Sequence, residues 1–238
     1  MPSAYLIKEK LMDKSRTGFL IGEENLNKLS SKHITVVGVG GVGGYTATML
    51  IRAGIEKMTI IDFDKVSPSN LNRQIIAYQS TIGKAKVDVL KQMLLDINPK
   101  AKVEAIDACL TQQNVDQLIK NTDFVVDAID SVPDKIALIL YCKKNNIKIL
   151  SAMGAGNRYC LPKFEVLDIF KTHDDGLAKV LRKKLRDEGI ESLQVVSSNL
   201  PVQYKSGNGQ VGSISYYPAM SGCVIAGEIV NKIIRGEI

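Results

Sequence analysis

The sequence lacks the long hydrophobic runs that secreted and membrane-spanning proteins carry. Its opening segment, MPSAYLIKEKLMDK, contains no apolar run of the length that a secretory signal needs. Its most apolar late segment, CVIAGEIVNKII, is too short and too polar to span a bilayer. We therefore expect a cytoplasmic protein with no membrane partner.

Closely spaced cysteine pairs are also missing. None of the four cysteines belongs to a CxxC pair, the arrangement that typically holds zinc or performs dithiol chemistry. These cysteines are Cys109, Cys142, Cys160 and Cys223. We expect free thiols in a reducing compartment and no structural metal. We interpret Cys160 and Cys223 as small buried apolar residues, with a reactive thiol as the alternative.

The sequence has no internal repeats, no low-complexity tracts and no linker rich in proline or serine. Its 238 residues, 45% of them apolar, are enough for one large domain with a hydrophobic core. The regular alternation of strand and helix patterns ends after about residue 156. We predict a single domain over 1–238, with a nucleotide-binding core at about 16–156 and an extension at about 157–238. The formal charge of +6 is compatible with a polyanionic partner such as RNA.

Strand and helix patterns alternate through the core. HITVVGVGGVGGYTATMLIRAGI predicts a buried strand over 34–37, a glycine turn and a helix that Gly54 terminates. Further strands are predicted in MTIIDFD, AKVEAID, TDFVVDAID and IKILSAMGAG, and a helix is predicted in GKAKVDVLKQMLLDINP. This alternation predicts an α/β fold with a doubly wound, mostly parallel, Rossmann-like sheet. In the extension we predict strands in KFEVLDI and LQVVSS, a basic helix between them and a closing helix from about Cys223 to Arg235.

A glycine-rich turn follows the first predicted strand. Gly38, Gly40 and Gly43 form G-x-G-x-x-G where a strand meets a helix, so the backbone can approach phosphate oxygens and the helix N-terminus offers free N–H groups. Asp62 ends the next strand, at the distance where a carboxylate accepts hydrogen bonds from ribose hydroxyls. These two features alone would predict NAD binding.

A polar run, SPSNLNRQ, then follows the second predicted strand. An NAD enzyme has no evident need for cations and amides beside the phosphates, whereas an enzyme that cleaves ATP does. Asn70, Arg73 and Gln74, together with Lys86 in the next helix, are interpreted as a clamp on a triphosphate. Fixed Arg and Lys groups neutralise the charge that develops during attack at the α-phosphorus.

Two carboxylates of the DAID segment are candidate magnesium ligands. Asp127 and Asp130 come at the end of a predicted central strand, at the edge where such sheets bind ligands. Mg²⁺ normally accompanies ATP in sites of this kind. The predicted cofactors are therefore ATP and Mg²⁺, with Asp130 assigned to the metal.

These motifs occur in one continuous order, and they resemble the ubiquitin-activating-enzyme-like adenylating superfamily. The matching segments are RTGFLIG, the glycine turn, IDFD, NLNRQ, GKAK and DAID. The resemblance implies nucleotide contacts from the residues around Gly41 and from Asp62 and Asp64 of IDFD. It further implies phosphate contacts from Asn70, Arg73 and Lys86, with Arg73, Lys86 and Asp130 as the catalytic set. It also implies a homodimer in which Arg16 is lent to the partner's site.

The extension separates the branches of this superfamily. Branches that activate small ubiquitin-like sulfur carriers commonly have CxxC motifs, which this chain lacks. AMGAGN, KFEVLDIFKT, LAKVLRKKLRDEGI and GSISYYPAMSGCVIAGEIV are instead similar to the bacterial branch that dehydrates threonylcarbamoyladenosine in tRNA. That likeness implies adenylation of the threonylcarbamoyl carboxylate followed by ring closure, with tRNA as the partner and possible help from a sulfur-relay protein. Departures from the branch pattern at Cys160-Leu161-Pro162 and at Gly176 lie in the substrate half.

Two alternatives to this function remain open at the level of sequence: an activator of a sulfur-carrier protein and a non-catalytic nucleotide-binding subunit. The basic helix could contact tRNA phosphates or could simply be a solvated face. Its cationic residues are Lys179, Arg182, Lys183, Lys184 and Arg186. Of the two histidines, His173 in a predicted loop is preferred over His33 as a site residue.

Overall fold

The computed structural model of the chain describes residues 11–204, 207 and 209–238. Within them, β-branched runs form seven strands that are joined into one sheet. The strands are β1 (His33–Val37), β2 (Lys57–Asp62), β3 (Lys102–Asp107), β4 (Phe124–Asp127), β5 (Ile149–Ala152), β6 (Glu165–Asp168) and β7 (Gln194–Ser197). The helices are α1 (Ser15–Ile21), α2 (Glu23–Ser31), α3 (Gly43–Ala53), α4 (Lys86–Ile97), α5 (Val115–Leu118), α6 (Val132–Lys144), α7 (Gly176–Asp187) and α8 (Tyr216–Ile234).

The sheet has the strand order β3-β2-β1-β4-β5-β7-β6. Every pair is parallel except β6 and β7, which are antiparallel. The order reverses between β1 and β4, whose last residues Val37 and Asp127 lie in register. The carboxyl edge of the sheet at that reversal is where open α/β sheets bind ligands. The prediction of a doubly wound, mostly parallel sheet is confirmed.

Helices cover both faces of the sheet because residues on each strand alternate between two apolar cores. Val36 and Ile60 pack into the core beneath α3, α4 and α8, whereas Val37 and Ile61 pack into the core beneath α5, α6 and α7. The segment after residue 156 contributes β6, β7 and α8 to this same architecture. No helix in the described ranges is long and apolar enough to cross a membrane.

The closing helix is longer than the sequence pattern indicates. We expected a start near Cys223, but α8 begins at Tyr216 because Pro218 lies in its first turn, where proline costs no helical hydrogen bond. Gly222 then allows close packing on α3, since a Cβ there would lie 2.5 Å from the carbonyl oxygen of Val42. The helices α1 and α2 were not anticipated from the sequence.

Candidate active site

The glycine turn lies at the carboxyl end of β1, at the reversal of the sheet. Gly38 has φ +84°, a left-handed conformation that favours glycine, and a Cβ on Gly43 would lie 1.8 Å from the Gly38 carbonyl oxygen. The N–H groups of Gly40, Gly41 and Val42 donate to no acceptor among the residues that the structure describes. Free N–H groups at the start of α3 form a ready anion-binding site.

Asp62 ties this turn to the end of β2. Its Oδ2 accepts a hydrogen bond of 2.8 Å from the N–H of Val39, and its Oδ1 accepts one of 2.8 Å from the N–H of Asp64. These bonds hold a half-buried carboxylate beside the glycine turn. Each carboxylate oxygen retains a further lone pair that can accept a hydroxyl, as the predicted ribose contact requires.

Arg73 and Gln74 lie against the same turn. An added Cβ on Gly40 would be 3.6 Å from Gln74 Nε2, and one on Gly41 would be 3.6 Å from Arg73 Cγ. Arg73 Nη1 donates to the Ser69 carbonyl oxygen at 2.9 Å. Gln74 is buried, and its Oε1 lacks a hydrogen-bond partner within the described part of the chain. The tertiary fold thus brings the polar run into contact with the glycine turn.

Asn70 has a structural role that the sequence did not indicate. It is buried, and its Oδ1 accepts a 3.0 Å hydrogen bond from the N–H of Ser67 across a short 3₁₀ turn, Pro68–Asn70. Its carbonyl oxygen accepts the N–H groups of Arg73 at 3.1 Å and Gln74 at 3.0 Å. Asn70 therefore shapes the backbone that presents the two side chains at the glycine turn.

Lys86 is buried at the start of α4 rather than exposed. Its Nζ lies 2.7 Å from Asp64 Oδ2, and its N–H donates to the Asp64 carbonyl oxygen at 2.9 Å. The Asp64 side chain is half exposed, so this ion pair faces the edge of the sheet. A phosphate group that approached the edge could replace Asp64 as the partner of this ammonium group.

The two DAID carboxylates occupy different environments. Asp127 is fully buried, and its Oδ1 lies 2.8 Å from Nζ of the equally buried Lys135. Burial raises the pKa of the Asp127 carboxyl, and the Lys135 ammonium opposes that shift. Asp130 is exposed and has no hydrogen-bond partner among the described residues. The two carboxylates are therefore not equivalent: Asp127 is paired with Lys135 through Oδ1, its Oδ2 has no hydrogen-bond partner among the described residues, and Asp130 faces solvent.

Lys135 is a residue that sequence reasoning missed. Besides Asp127, its Nζ donates to the carbonyl oxygen of Ile129 at 2.9 Å, directly before Asp130. It holds the loop that follows β4. The only signal in the sequence is a single lysine at the start of an otherwise apolar helical run, and its burial could not be inferred from that pattern.

The Asp130 carboxylate is compatible with magnesium held mainly by a nucleotide. The described part of the chain contains no group of three or more His, Cys, Asp or Glu residues placed to hold a metal ion. Mg²⁺ commonly binds through one or two carboxylates together with substrate phosphates, and it keeps several waters. One exposed carboxylate near the phosphate-binding turn fits that mode of binding.

Arg16 is not brought to the other predicted site residues. Its neighbour Lys14 forms an ion pair with Glu56, directly before β2, so α1 begins at the amino edge of the sheet. From there to Asp62 the strand rises about 17 Å. Arg16 is exposed and forms no ion pair with a described residue. We therefore assign the Arg16 side chain no role in the nucleotide site of its own chain.

The extension packs next to the glycine turn. A Cβ on Gly41 would lie 3.2 Å from Cβ of Pro218 in α8. The adjacent Tyr217 is fully buried, and its hydroxyl is 2.8 Å from Ser198 Oγ. Arg158, also buried, donates to carbonyl oxygens of the GAG segment and of the later loops, including Gly154 at 3.0 Å. These contacts hold the extension at the carboxyl edge.

Three of the four thiols, those of Cys109, Cys142 and Cys223, have raised pKa values. Burial raises the pKa of Cys142 to about 12 and also raises the pKa of Cys223. Burial and nearby carboxylates, among them Asp134, raise the pKa of Cys109. Cys160 is half-buried. An activated nucleophilic cysteine has a lowered pKa, so these shifts agree with an apolar role.

The two histidines lie at opposite edges of the sheet. His173 is exposed, and its Nδ1 is 2.9 Å from Asp174 Oδ2. His33 begins β1 at the amino edge, where its Nε2 is 2.9 Å from Thr59 Oγ1. His33 is therefore remote from the glycine turn, whereas a site role for His173 stays a prediction.

Fold and site together define a nucleotide-binding protein of the doubly wound α/β class, with a glycine turn that offers free N–H groups at the reversal of its sheet. The model of the ThiF family matches residues 14–237. The chain therefore belongs to the ThiF family. The resemblance noted from the motifs is confirmed.

Particular relatives match over most of the chain. The tRNA threonylcarbamoyladenosine dehydratase of Bacillus subtilis is 36% identical over 239 residues, which cover 93% of this chain and 94% of that protein. The Escherichia coli protein of the same name is 41% identical over 173 residues, covering 72% of this chain and 65% of the relative. A solved structure of the Escherichia coli enzyme in complex with ATP has a TM-score of 0.88 and 35% identity, and the match covers 94% of each chain.

Proposed function

We propose that this protein is an ATP-dependent enzyme that adenylates the carboxylate of the threonylcarbamoyl group on a tRNA adenosine and then closes that group into a ring. The observation that carries the proposal is the match over 94% of both chains to an ATP-bound dehydratase. Because the match includes the extension as well as the nucleotide core, it favours this function over activation of a sulfur-carrier protein.

The reaction proceeds in two steps that need no covalent bond to the protein. A carboxylate oxygen of the substrate attacks the α-phosphorus of ATP, and pyrophosphate leaves. A neighbouring atom of the same substrate then attacks the activated carbonyl carbon, and AMP leaves with the original carboxylate oxygen. Because the two reacting groups belong to one molecule, proximity makes a thioester intermediate unnecessary.

The residues of the site take distinct roles in this proposal. The N–H groups of the glycine turn bind phosphate oxygens, and Asp62 accepts the ribose hydroxyls. Arg73 and Lys86 neutralise charge on the phosphates, for which Lys86 leaves Asp64. Gln74 Oε1, which has no partner among the described residues, offers a buried acceptor beside the turn. Mg²⁺, held by Asp130 and the nucleotide, would supply further neutralisation of the leaving pyrophosphate.

A homodimer is part of the proposal. Arg16 is exposed, and the ion pair of the nearby Lys14 with Glu56 places the start of α1 at the amino edge, which supports a role for Arg16 in the site of another copy. The same helix exposes 86% of Phe19 and 84% of Leu20, an apolar surface that a second copy would cover. We place the reaction in the cytoplasm, where tRNA is found, and assistance by a sulfur-relay protein remains a proposal.

Pyrophosphate exchange tests the function directly. Purified protein, ATP and labelled pyrophosphate are combined with threonylcarbamoyl-modified tRNA, with the same tRNA lacking the modification, or with a carrier protein that ends in glycine. We expect label to enter ATP only with the modified tRNA. Exchange with the carrier and none with modified tRNA would refute the proposal in favour of carrier activation.

A further inference from the structure

We propose that the exposed face of α7 docks the phosphate backbone of the tRNA, an inference that rests on the proposed function. Four cations on this helix, spaced i, i+3, i+4 and i+7, share one side. We call them the basic stripe: Lys179, Arg182, Lys183 and Arg186. On the opposite side Leu181 and Leu185 are buried in the core, so the orientation of the stripe toward solvent is fixed by packing.

The charges of the basic stripe are not neutralised by the protein. Lys179 and Lys183 are exposed and form no ion pair with any residue in the described ranges. Arg182 donates to the carbonyl oxygen of Thr172 at 3.0 Å, which orients its guanidinium without cancelling its charge. The guanidinium of Arg186 lies 5.0 Å from the ring centre of Phe170. Two of the four cations are thus held in place and all four retain their charge.

The basic end of α8 shows the contrasting arrangement. There Lys232 lies 3.5 Å from Glu228 and 3.0 Å from Glu237, and Arg235 forms ion pairs with the same two carboxylates. Acidic residues also lie near the end of α7, at Asp187 and beyond, but none of the described ones forms an ion pair with the basic stripe. The basic end of α8 is thus neutralised by its own acids, whereas the basic stripe leaves its charge available to a polyanion.

The position of α7 links the stripe to the nucleotide site. Asp175 caps the helix by accepting the N–H of Ala178 at 2.9 Å, and its other oxygen accepts the N–H of Gly154 at 2.8 Å. Gly154 follows β5, so the first turn of α7 lies at the carboxyl edge that carries the glycine turn. β5 is two strands from β1, or about 10 Å. A polyanion along the stripe therefore reaches the edge where the reactive carboxylate must lie.

The chemistry of the surface favours RNA over a lipid headgroup layer. A membrane-binding helix needs an apolar face to insert, and the apolar face of α7 is already buried in the core. On the exposed side, where Val180 is the one exposed large apolar residue among the described residues of the helix, the cations form a row about 10 Å long, from residue 179 to residue 186. Such a row suits a few successive phosphates and carries no sequence preference.

A pair of lysine substitutions tests the proposal. Lys179→Gln/Lys183→Gln removes two exposed cations without a hydrogen bond or a buried surface, so the melting temperature should stay unchanged. The matched control is Lys100→Gln/Lys102→Gln, which removes the same charge at exposed positions on the amino edge of the sheet. Binding of threonylcarbamoyl-modified tRNA is measured by fluorescence anisotropy over a series of salt concentrations, and the KM for ATP is measured alongside.

We expect the α7 variant to bind the tRNA about tenfold or more weakly at about 0.1 M salt. The slope of log K against log salt should become less negative by about 1.4, since each lost phosphate contact removes about 0.7 from its magnitude. The control should bind like the unmodified protein, and the KM for ATP should be the same in all three. An α7 variant that binds tRNA with the affinity and slope of the control overturns the proposal.

Two other outcomes separate this proposal from the proposed function. If the unmodified protein shows tRNA-dependent pyrophosphate exchange but the α7 variant loses no affinity, only the docking surface is wrong. If the unmodified protein neither binds modified tRNA nor supports exchange with it, both proposals fail. The protein is also tested with vesicles of mixed phosphatidylserine and phosphatidylcholine. If it binds these vesicles through the two lysines and does not bind tRNA, the partner of the basic stripe is a membrane and not RNA.

Discussion

Replacing Lys135 by methionine should destabilise the protein strongly while changing the shape of the core little. Both side chains of the Lys135–Asp127 pair are 0% exposed, and Lys135 Nζ also donates to Ile129. Methionine fills similar space but leaves a buried carboxylate without a cation and a carbonyl oxygen without a donor. Removing one partner of a buried ion pair costs about 3–5 kcal/mol. For a chain of this size, that loss lowers the melting temperature by about 6–20 °C.

A double variant separates the lost pair from lost packing. In Asp127→Asn/Lys135→Met no buried charge remains, and the asparagine oxygen can still accept the N–H of Ile129, which now lies 3.2 Å from Asp127 Oδ1. Replacing both partners of a buried pair by hydrophobic residues is often nearly neutral, but here the asparagine stays polar and the Ile129 carbonyl oxygen still loses its donor. We expect this variant to recover part of the lost stability, which thermal unfolding followed by circular dichroism measures.

The pH dependence of the single variant provides a second measurement. Burial already raises the pKa of the Asp127 carboxyl, and without Lys135 that pKa rises further. A carboxyl whose pKa is higher in the folded state takes up a proton there first, so stability increases as the pH falls through that pKa. The loss of stability in Lys135→Met, relative to the unmodified protein, should therefore become smaller as the pH falls. The double variant should show no such trend. A single variant that melts with the unmodified protein, or a double variant as unstable as the single one, would refute the reasoning.

Three further predictions concern the reaction. Arg73→Ala should lower the rate of pyrophosphate exchange by about a hundredfold at an unchanged melting temperature, and normal exchange in this variant would remove Arg73 from the site. Lys86→Ala should lower both the exchange rate and the melting temperature, because the Lys86 ammonium is buried against Asp64. Asp130→Asn should raise the magnesium concentration needed for half-maximal exchange, and a titration that overlays the unmodified protein would remove the carboxylate from the metal role. Cys223→Ser should retain turnover on modified tRNA in a product assay by mass spectrometry, and an adenylate that forms but does not cyclise would contradict direct attack.

Features that depend on neighbouring residues were predictable. The glycine turn could be read because its conformation needs glycine at positions 38 and 43, whatever the rest of the chain does. The parallel sheet could be inferred because β-branched runs alternate with helical patterns. The closing helix begins at Tyr216 and not near Cys223, because proline is tolerated in the first turn of a helix, where Pro218 lies.

The roles of the polar residues depended on tertiary structure. In the sequence, Asp127 and Asp130 stand three residues apart and look equivalent, yet packing of α6 buries the first against Lys135 and leaves the second in solvent. In the sequence, Arg16 belongs to the same ordered set of motifs as the other predicted site residues. In the structure, the length of β2 separates the edge where α1 begins from the edge that carries the glycine turn. The sequence by itself determined which residue types surround the glycine turn, because backbone conformation and hydrophobic alternation are local. Which of them form buried pairs, shape the backbone or face solvent was decided only by folding, because desolvation and electrostatic pairing depend on distances between residues far apart in the chain.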